Sequence, residues 1–179
     1  MQAESELHPQ AKDILQRIME SNEPAFETMT PQQARDIADR RVTQTAGPGP
    51  EIGEVSETGI QVADRHVGFR IYRPKPENVG PGPLPLLIYY HGGGFVVGSL
   101  DTVDTLCRKL VDAVECIVVS VNYSLAPEHR CPAPVEDAFG AAEWVFSNIE
   151  QLGGDASRVA VAGESSGGAL AAVVSQMAK

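Results

Sequence analysis

Hydrophobic spacing divides this chain into two regimes. Over residues 9–20 the apolar positions Ala11, Ile14, Leu15, Ile18 and Met19 recur three and four apart, which predicts an amphipathic helix. A second helix is expected from Thr30. Threonine suits the N-cap, Pro31 suits the first helical position, and Gln33 closes a capping box. Ala34, Ile37 and Ala38 form its apolar face. Residues 46–53 (Ala-Gly-Pro-Gly-Pro-Glu-Ile-Gly) then read as a linker. Beyond them the period falls to two. Val67, Phe69 and Ile71 alternate with His66, Gly68, Arg70 and Tyr72, the mark of a half-buried strand.

From there, short apolar runs alternate with helical patterns. Residues 86–90, 116–121 and 158–162 read as strands buried on both faces. Between and after them lie three helical segments. One starts near Asp101 and carries Val103, Leu106, Leu110, Val111 and Val114. The next carries Val135, Phe139, Ala142, Val145, Phe146 and Ile149, and the last runs over residues 166–179. Strands alternating with helices predict right-handed βαβ units, hence an α/β fold with a mostly parallel sheet. Ligands bind such sheets at the carboxyl ends of the strands.

Composition narrows the function classes. The 179 residues are 42% hydrophobic and 21% charged, as in an ordinary globular domain. A net charge of −10 with no basic stripe argues against a nucleic-acid partner. No run is long enough for a membrane span, and residues 1–10 lack the pattern of a signal peptide. Cys107, Cys116 and Cys131 show no metal spacing, and an odd count disfavours a disulfide framework. Inert thiols in a reducing cytoplasm are the expectation.

Two motifs carry chemistry. Gly163-Glu164-Ser165-Ser166-Gly167 follows an apolar strand and precedes a helix of small residues, the context of a nucleophile elbow. Its glycines leave room for a strained turn that presents Ser165 at a helix N-terminus, where developing negative charge is favoured. His91-Gly92-Gly93-Gly94-Phe95 follows another strand. Successive glycines free backbone N–H groups to face a substrate oxygen, an oxyanion-hole design completed by the N–H of Ser166. A glycine loop could also cradle phosphate. This one lacks the Lys-Ser/Thr of a phosphate loop and the spacing of a dinucleotide fingerprint.

With residues 122–129 (Asn-Tyr-Ser-Leu-Ala-Pro-Glu-His), these motifs resemble the hormone-sensitive lipase family of α/β-hydrolases, the bacterial family IV carboxylesterases. The resemblance implies an N-terminal helical cap over residues 1–45 and a partial catalytic domain over residues 46–179. It also implies hydrolysis of short- to medium-chain esters. Ser165 would be the nucleophile. Gly93, Gly94 and Ser166 would supply the oxyanion N–H groups, Gly92 would shape the loop, and His91 would support it. The expected partner is a small-molecule ester, with homodimer formation open to the complete protein; no metal or organic cofactor is expected. Met19, Phe26 and Met29 are candidates for an acyl pocket, although helix packing suits Met19 equally. Glu128 and Asp137 are expected to brace loops and helix starts. Ser124 stands where the family usually carries arginine.

A serine nucleophile needs a base oriented by a carboxylate. No His, Asp or Glu follows Ser165, whereas the family places both partners later in the chain. His8, His66, His91 and His129 are poor substitutes. The expectation is an incomplete, inactive fragment without the C-terminal strands and helices. Alternatives are a non-catalytic binding protein on the same scaffold, as in plant gibberellin receptors, and amidase or lactonase action at the same serine.

Overall fold

Five strands form one mixed sheet in the order β1-β2-β4-β3-β5. We describe it from a computed structural model covering residues 7–21 and 23–179. The signal-peptide reading therefore lies, for residues 1–6, outside the described residues. β1 (Glu54–Val62) and β2 (Arg65–Arg73) make an antiparallel hairpin, and β2 pairs antiparallel with β4 (Ile117–Asn122). β3 (Leu84–Tyr90) runs parallel to both β4 and β5 (Gly154–Gly163). The parallel half of the sheet is the half built from strand–helix alternation.

Both faces are covered, and the pleat sorts the side chains. Val67, Phe69 and Ile71 of β2, Leu86, Ile88 and Tyr90 of β3, and Ile117, Val119 and Val121 of β4 point into one core. α4 (Ala133–Ser147) and α5 (Ser166–Met177) close it with Ala138, Val145, Leu170 and Val174. On the other face Tyr72, Tyr89 and Val118 pack against Cys107 and Val111 of α3 (Asp104–Val114). Full burial of one such aliphatic side chain contributes about 1.5–3 kcal/mol. Cys107 and Cys116 are buried, while Cys131 is exposed.

α1 (Pro9–Glu20) and α2 (Pro31–Thr45) occupy the predicted segments. The Thr30 hydroxyl accepts from Gln33 N at 3.3 Å and the Gln33 side chain accepts from Thr30 N at 2.9 Å, completing the capping box. α1 buries none of its residues; Ile14, Leu15 and Ile18 are roughly half exposed and Met19 is 80% exposed.

Two strands differ from expectation. β1 was not anticipated, because its alternation is weak and most of its residues are exposed; its ladder to β2 holds it in the sheet. β5 begins at Gly154 rather than at Arg158, and residues 158–162 are not buried. It is an edge strand with β3 as its partner, so only one side of its ladder is occupied. Val159, Val161, Phe139, Phe146 and Val174 line an open groove beside it.

Candidate functional site

Residues 91, 123 and 164 each directly follow a parallel strand, so the turns after β3, β4 and β5 meet at one end of the sheet. The sharpest of them is the turn after β5. Ser165 is exposed and holds φ 50°, ψ −118°, a region that a residue with a Cβ rarely enters. Such strain costs of the order of 1–3 kcal/mol and persists only where the surroundings enforce it.

The enforcement comes from packing between backbones. A Cβ on Gly167 would lie 2.0 Å from Tyr90 O and 2.5 Å from His91 O. One on Gly163 would lie 2.4 Å from Gly167 C and 2.6 Å from Tyr90 O. The first turn of α5 is thereby pressed against the end of β3. Ser166 and Gly167 are buried in that contact while Ser165, one residue earlier, remains outside. The serine sits at the N-cap of α5, where the positive end of the helix dipole lies.

The glycine loop turns beside it. A Cβ on Gly92 would meet Glu164 Cγ at 2.9 Å, so Gly92 and the elbow are in direct contact. Gly93 has φ 127° and its carbonyl accepts from both Val96 N and Val97 N at 3.0 Å. Gly94 has φ 60° and open space where a side chain would be. The three glycines thus serve different needs: close approach at Gly92, backbone reversal at Gly93 and Gly94.

His91 is fully buried, with Nδ1 2.8 Å from Gly92 O. Burial pushes its pKa down, against the raising effect of that hydrogen bond. A neutral imidazole then donates through Nδ1 to the loop's own carbonyl. The ring stacks on Tyr123 with centroids 4.3 Å apart and planes 14° from parallel. Tyr123 Oη donates to His91 O at 2.6 Å.

Two bracing carboxylates complete the surroundings. Asp137, fully buried on α4, accepts from Ser124 N at 2.9 Å and from Arg65 of β2 at 3.0 Å. Position 124 contributes through its backbone N–H, a contact independent of its side chain. Glu128 receives both ends of the Arg35 guanidinium at 3.0 and 2.6 Å. Hydrogen bonding to Arg35 holds the Glu128 carboxyl down at about 2.

Sequence reasoning missed Tyr123 and Arg35. Tyr123 lay within a recognised motif but carried no assigned role. Arg35 gave no local signal, because its partners are 61 to 93 residues away in sequence. Of the acyl-pocket candidates, Met19 is largely in solvent and Phe26 lies under the Arg41 guanidinium, 5.0 Å from its ring centre. No described histidine hydrogen-bonds Ser165. His8 caps α1, His66 and His129 are exposed, and His91 is committed to the glycine loop.

A strained serine between a parallel strand and a helix, packed against a glycine loop, defines the α/β-hydrolase class. Residues 87–179 match the family described as alpha/beta hydrolase fold, and the chain belongs to that family, within its hormone-sensitive lipase branch of carboxylesterases. Esterase LipI of Mycobacterium tuberculosis is 50% identical over 113 residues, covering 63% of this chain and 35% of that protein. Carboxylesterase NlhH of the same species is 39% identical over 160 residues, covering 85% of this chain and 48% of that protein. The hyperthermophilic esterase of the archaeon Pyrobaculum calidifontis superposes with a TM-score of 0.86 at 40% identity, covering 96% of this chain and 54% of that one. The chain therefore spans about half or less of the length of these relatives.

Proposed function

We propose that this chain carries the nucleophile and oxyanion hole of a serine carboxylesterase acting on short- to medium-chain esters. The carrying observation is the strained backbone of Ser165, φ 50°, ψ −118°. Strain of this kind clusters at active sites, and its place on a serine with a reactive hydroxyl supports the esterase reading over the receptor-like one.

In this mechanism Ser165 Oγ attacks the ester carbonyl after passing its proton to a histidine. The resulting oxyanion is held by the N–H groups of Gly93, Gly94 and Ser166, with Gly92 and His91 shaping the loop. One such donor is worth about 2.7–4 kcal/mol at the transition state. The alcohol leaves, an acyl-serine remains, and water hydrolyses it. Residues 7–45, with α1 and α2, form the described part of the cap. We propose that the base and its carboxylate come from outside these 179 residues, since no described histidine bonds Ser165 and the relatives are about twice as long.

A fluorophosphonate probe, which needs an activated serine, tests the nucleophile in a chain extended to the length of its relatives. Mass spectrometry is expected to place one adduct on Ser165 and none in Ser165→Ala. Adducts only at other residues overturn the assignment. For the 179 residues alone, hydrolysis of p-nitrophenyl butyrate is expected to be no faster than in Ser165→Ala. Clear Ser165-dependent turnover would place a working base within these residues.

A further inference from the structure

Arg35 lies on α2, outside both motifs, and its guanidinium ties together separate pieces of chain. Nε donates to Val96 O at 2.8 Å, and one terminal nitrogen donates to Ala126 O at 2.9 Å. The same fork grips Glu128 through both carboxylate oxygens. Four of the five N–H bonds of a guanidinium are thus engaged. The Arg35 side chain is 20% exposed, so water competes weakly for these contacts.

The partners are not scattered. Val96 closes the glycine turn, since its N–H donates to Gly93 O while its carbonyl accepts from Arg35. Phe95 O accepts from Ala126 N at 2.8 Å, and Ala126 O accepts from Arg35. A closed circuit runs from the glycine turn to the segment after β4, through Arg35, and back to the turn. Phe95 and Gly94 both hold positive φ inside it, and Phe95 does so with a Cβ. A turn with that strain needs external restraint.

We infer that Arg35 is a positioning residue for the oxyanion loop: it clamps Val96 to the Ala126–Glu128 segment and so fixes the turn that carries the Gly93 and Gly94 N–H groups. What those N–H groups stabilise rests on the esterase reading; the clamp does not. Lysine is a partial substitute, because an ammonium lacks the planar fork that meets two carbonyls and a carboxylate at once.

Amide hydrogen exchange tests the clamp without needing turnover. In Arg35→Gln, exchange at Val96, Val97 and Ala126 is expected to rise about tenfold, with amides of the central strand β4 unchanged. Arg35→Lys should recover part of that protection. Rates within about twofold of wild type at the three amides overturn the inference, as does an equal rise in β4, which would mark a purely global loss of stability. Should Arg35→Gln not fold, Glu128→Gln is the second variant. It keeps the carbonyl bonds and should show a smaller rise at the same amides; no rise there overturns the clamp. The rate of Ser165 phosphonylation in the chain extended to its relatives' length supplies the functional readout. It should fall about tenfold in Arg35→Gln and partly recover in Arg35→Lys, as expected for lost oxyanion donors. No adduct in wild type would count against the esterase reading, while the exchange data still decide the clamp.

Discussion

The imidazole of His91 lies flat on the phenol ring of Tyr123, and the same tyrosine reaches past it to donate a hydrogen bond to the His91 carbonyl at 2.6 Å. One side chain therefore fixes both the ring and the backbone of the residue that opens the glycine loop. Phe95, further along that loop, meets Tyr123 edge-on at 6.4 Å between ring centres. The two contributions of Tyr123 are separable. Tyr123→Phe keeps the stack and leaves a buried carbonyl without its donor, which should cost about 1–3 kcal/mol. Tyr123→Ala removes the stack as well and should cost about 3–5 kcal/mol, as large-to-small changes at buried aromatics do. Urea denaturation checks both through the midpoint at constant slope. Equal losses for the two variants would show that the ring contributes nothing beyond its hydroxyl.

The glycines are expected to differ sharply when given a methyl group. At Gly167 the added Cβ would sit 2.0 Å from Tyr90 O, a backbone atom of β3 that cannot move aside. Gly167→Ala should therefore cost about 3 kcal/mol or more, the upper end of overpacking. At Gly94 nothing lies within 4 Å, and the penalty is the positive φ alone. Gly94→Ala should cost about 1–2 kcal/mol. Thermal unfolding of the pair measures the difference. A similar loss in both would mean that the elbow can separate from β3 without penalty.

These contrasts also show what a sequence can reveal. The Thr30–Gln33 capping box and the helix of residues 9–20 were legible because each is set by neighbours three or four residues apart. The elbow and glycine loop were legible because their glycines answer local steric demands. β1 was not, since Glu54–Val62 is a mostly exposed strand defined by its partner β2 rather than by its own pattern. Nor were the clamps legible. Arg35 reaches Val96, Ala126 and Glu128, and Arg65 reaches Asp137, only once the sheet and helices have brought distant segments together.

Removing either partner of the Arg65–Asp137 contact should be far costlier than its count of bonds suggests. Asp137 is fully buried and Arg65 retains 11% of its side-chain exposure. Arg65→Ala leaves that carboxylate with Ser124 N but without its cation, a loss of about 3–5 kcal/mol for a broken buried pair. Arg158 is a control, because its pair with Asp155 leaves the arginine half exposed. Arg158→Ala should change stability by no more than about 1 kcal/mol. Chemical denaturation of the two variants decides.

The buried imidazole gives the fold a pH dependence of defined sign. Burial lowers the His91 pKa, so below the ordinary histidine value the unfolded chain binds a proton that the folded chain refuses. More protons on the unfolded state means stability that rises with pH. The His91 contribution is therefore complete above about pH 6.5 and is lost as pH falls below that value. Glu128 and Asp155, both held at about 2, act in a lower window: their contribution is present above the usual carboxylate range and disappears as pH falls toward 2. An NMR titration of the His91 ring should place its midpoint below the ordinary histidine value, with Nδ1 carrying the proton of the neutral form. A midpoint at or above that value would contradict the burial of a neutral ring.

The strain at Ser165 leads to the most direct test of the elbow. Its φ of 50° with ψ of −118° is comfortable for glycine and unfavourable for any residue bearing a Cβ. Ser165→Ala keeps the Cβ and so keeps the strain, and should leave stability within about 0.5 kcal/mol of wild type. Ser165→Gly releases about 1–3 kcal/mol of strain. Against this stands about 0.5–1 kcal/mol from the greater freedom of glycine in the unfolded chain. The balance favours a net gain near 1 kcal/mol, visible as a higher unfolding midpoint than in Ser165→Ala. Both variants lose the hydroxyl and should lose the fluorophosphonate adduct equally, so stability and labelling separate in this pair. A Ser165→Gly chain no more stable than Ser165→Ala would mean that the turn relaxes in solution. The serine would then not be held in a reactive posture by its surroundings.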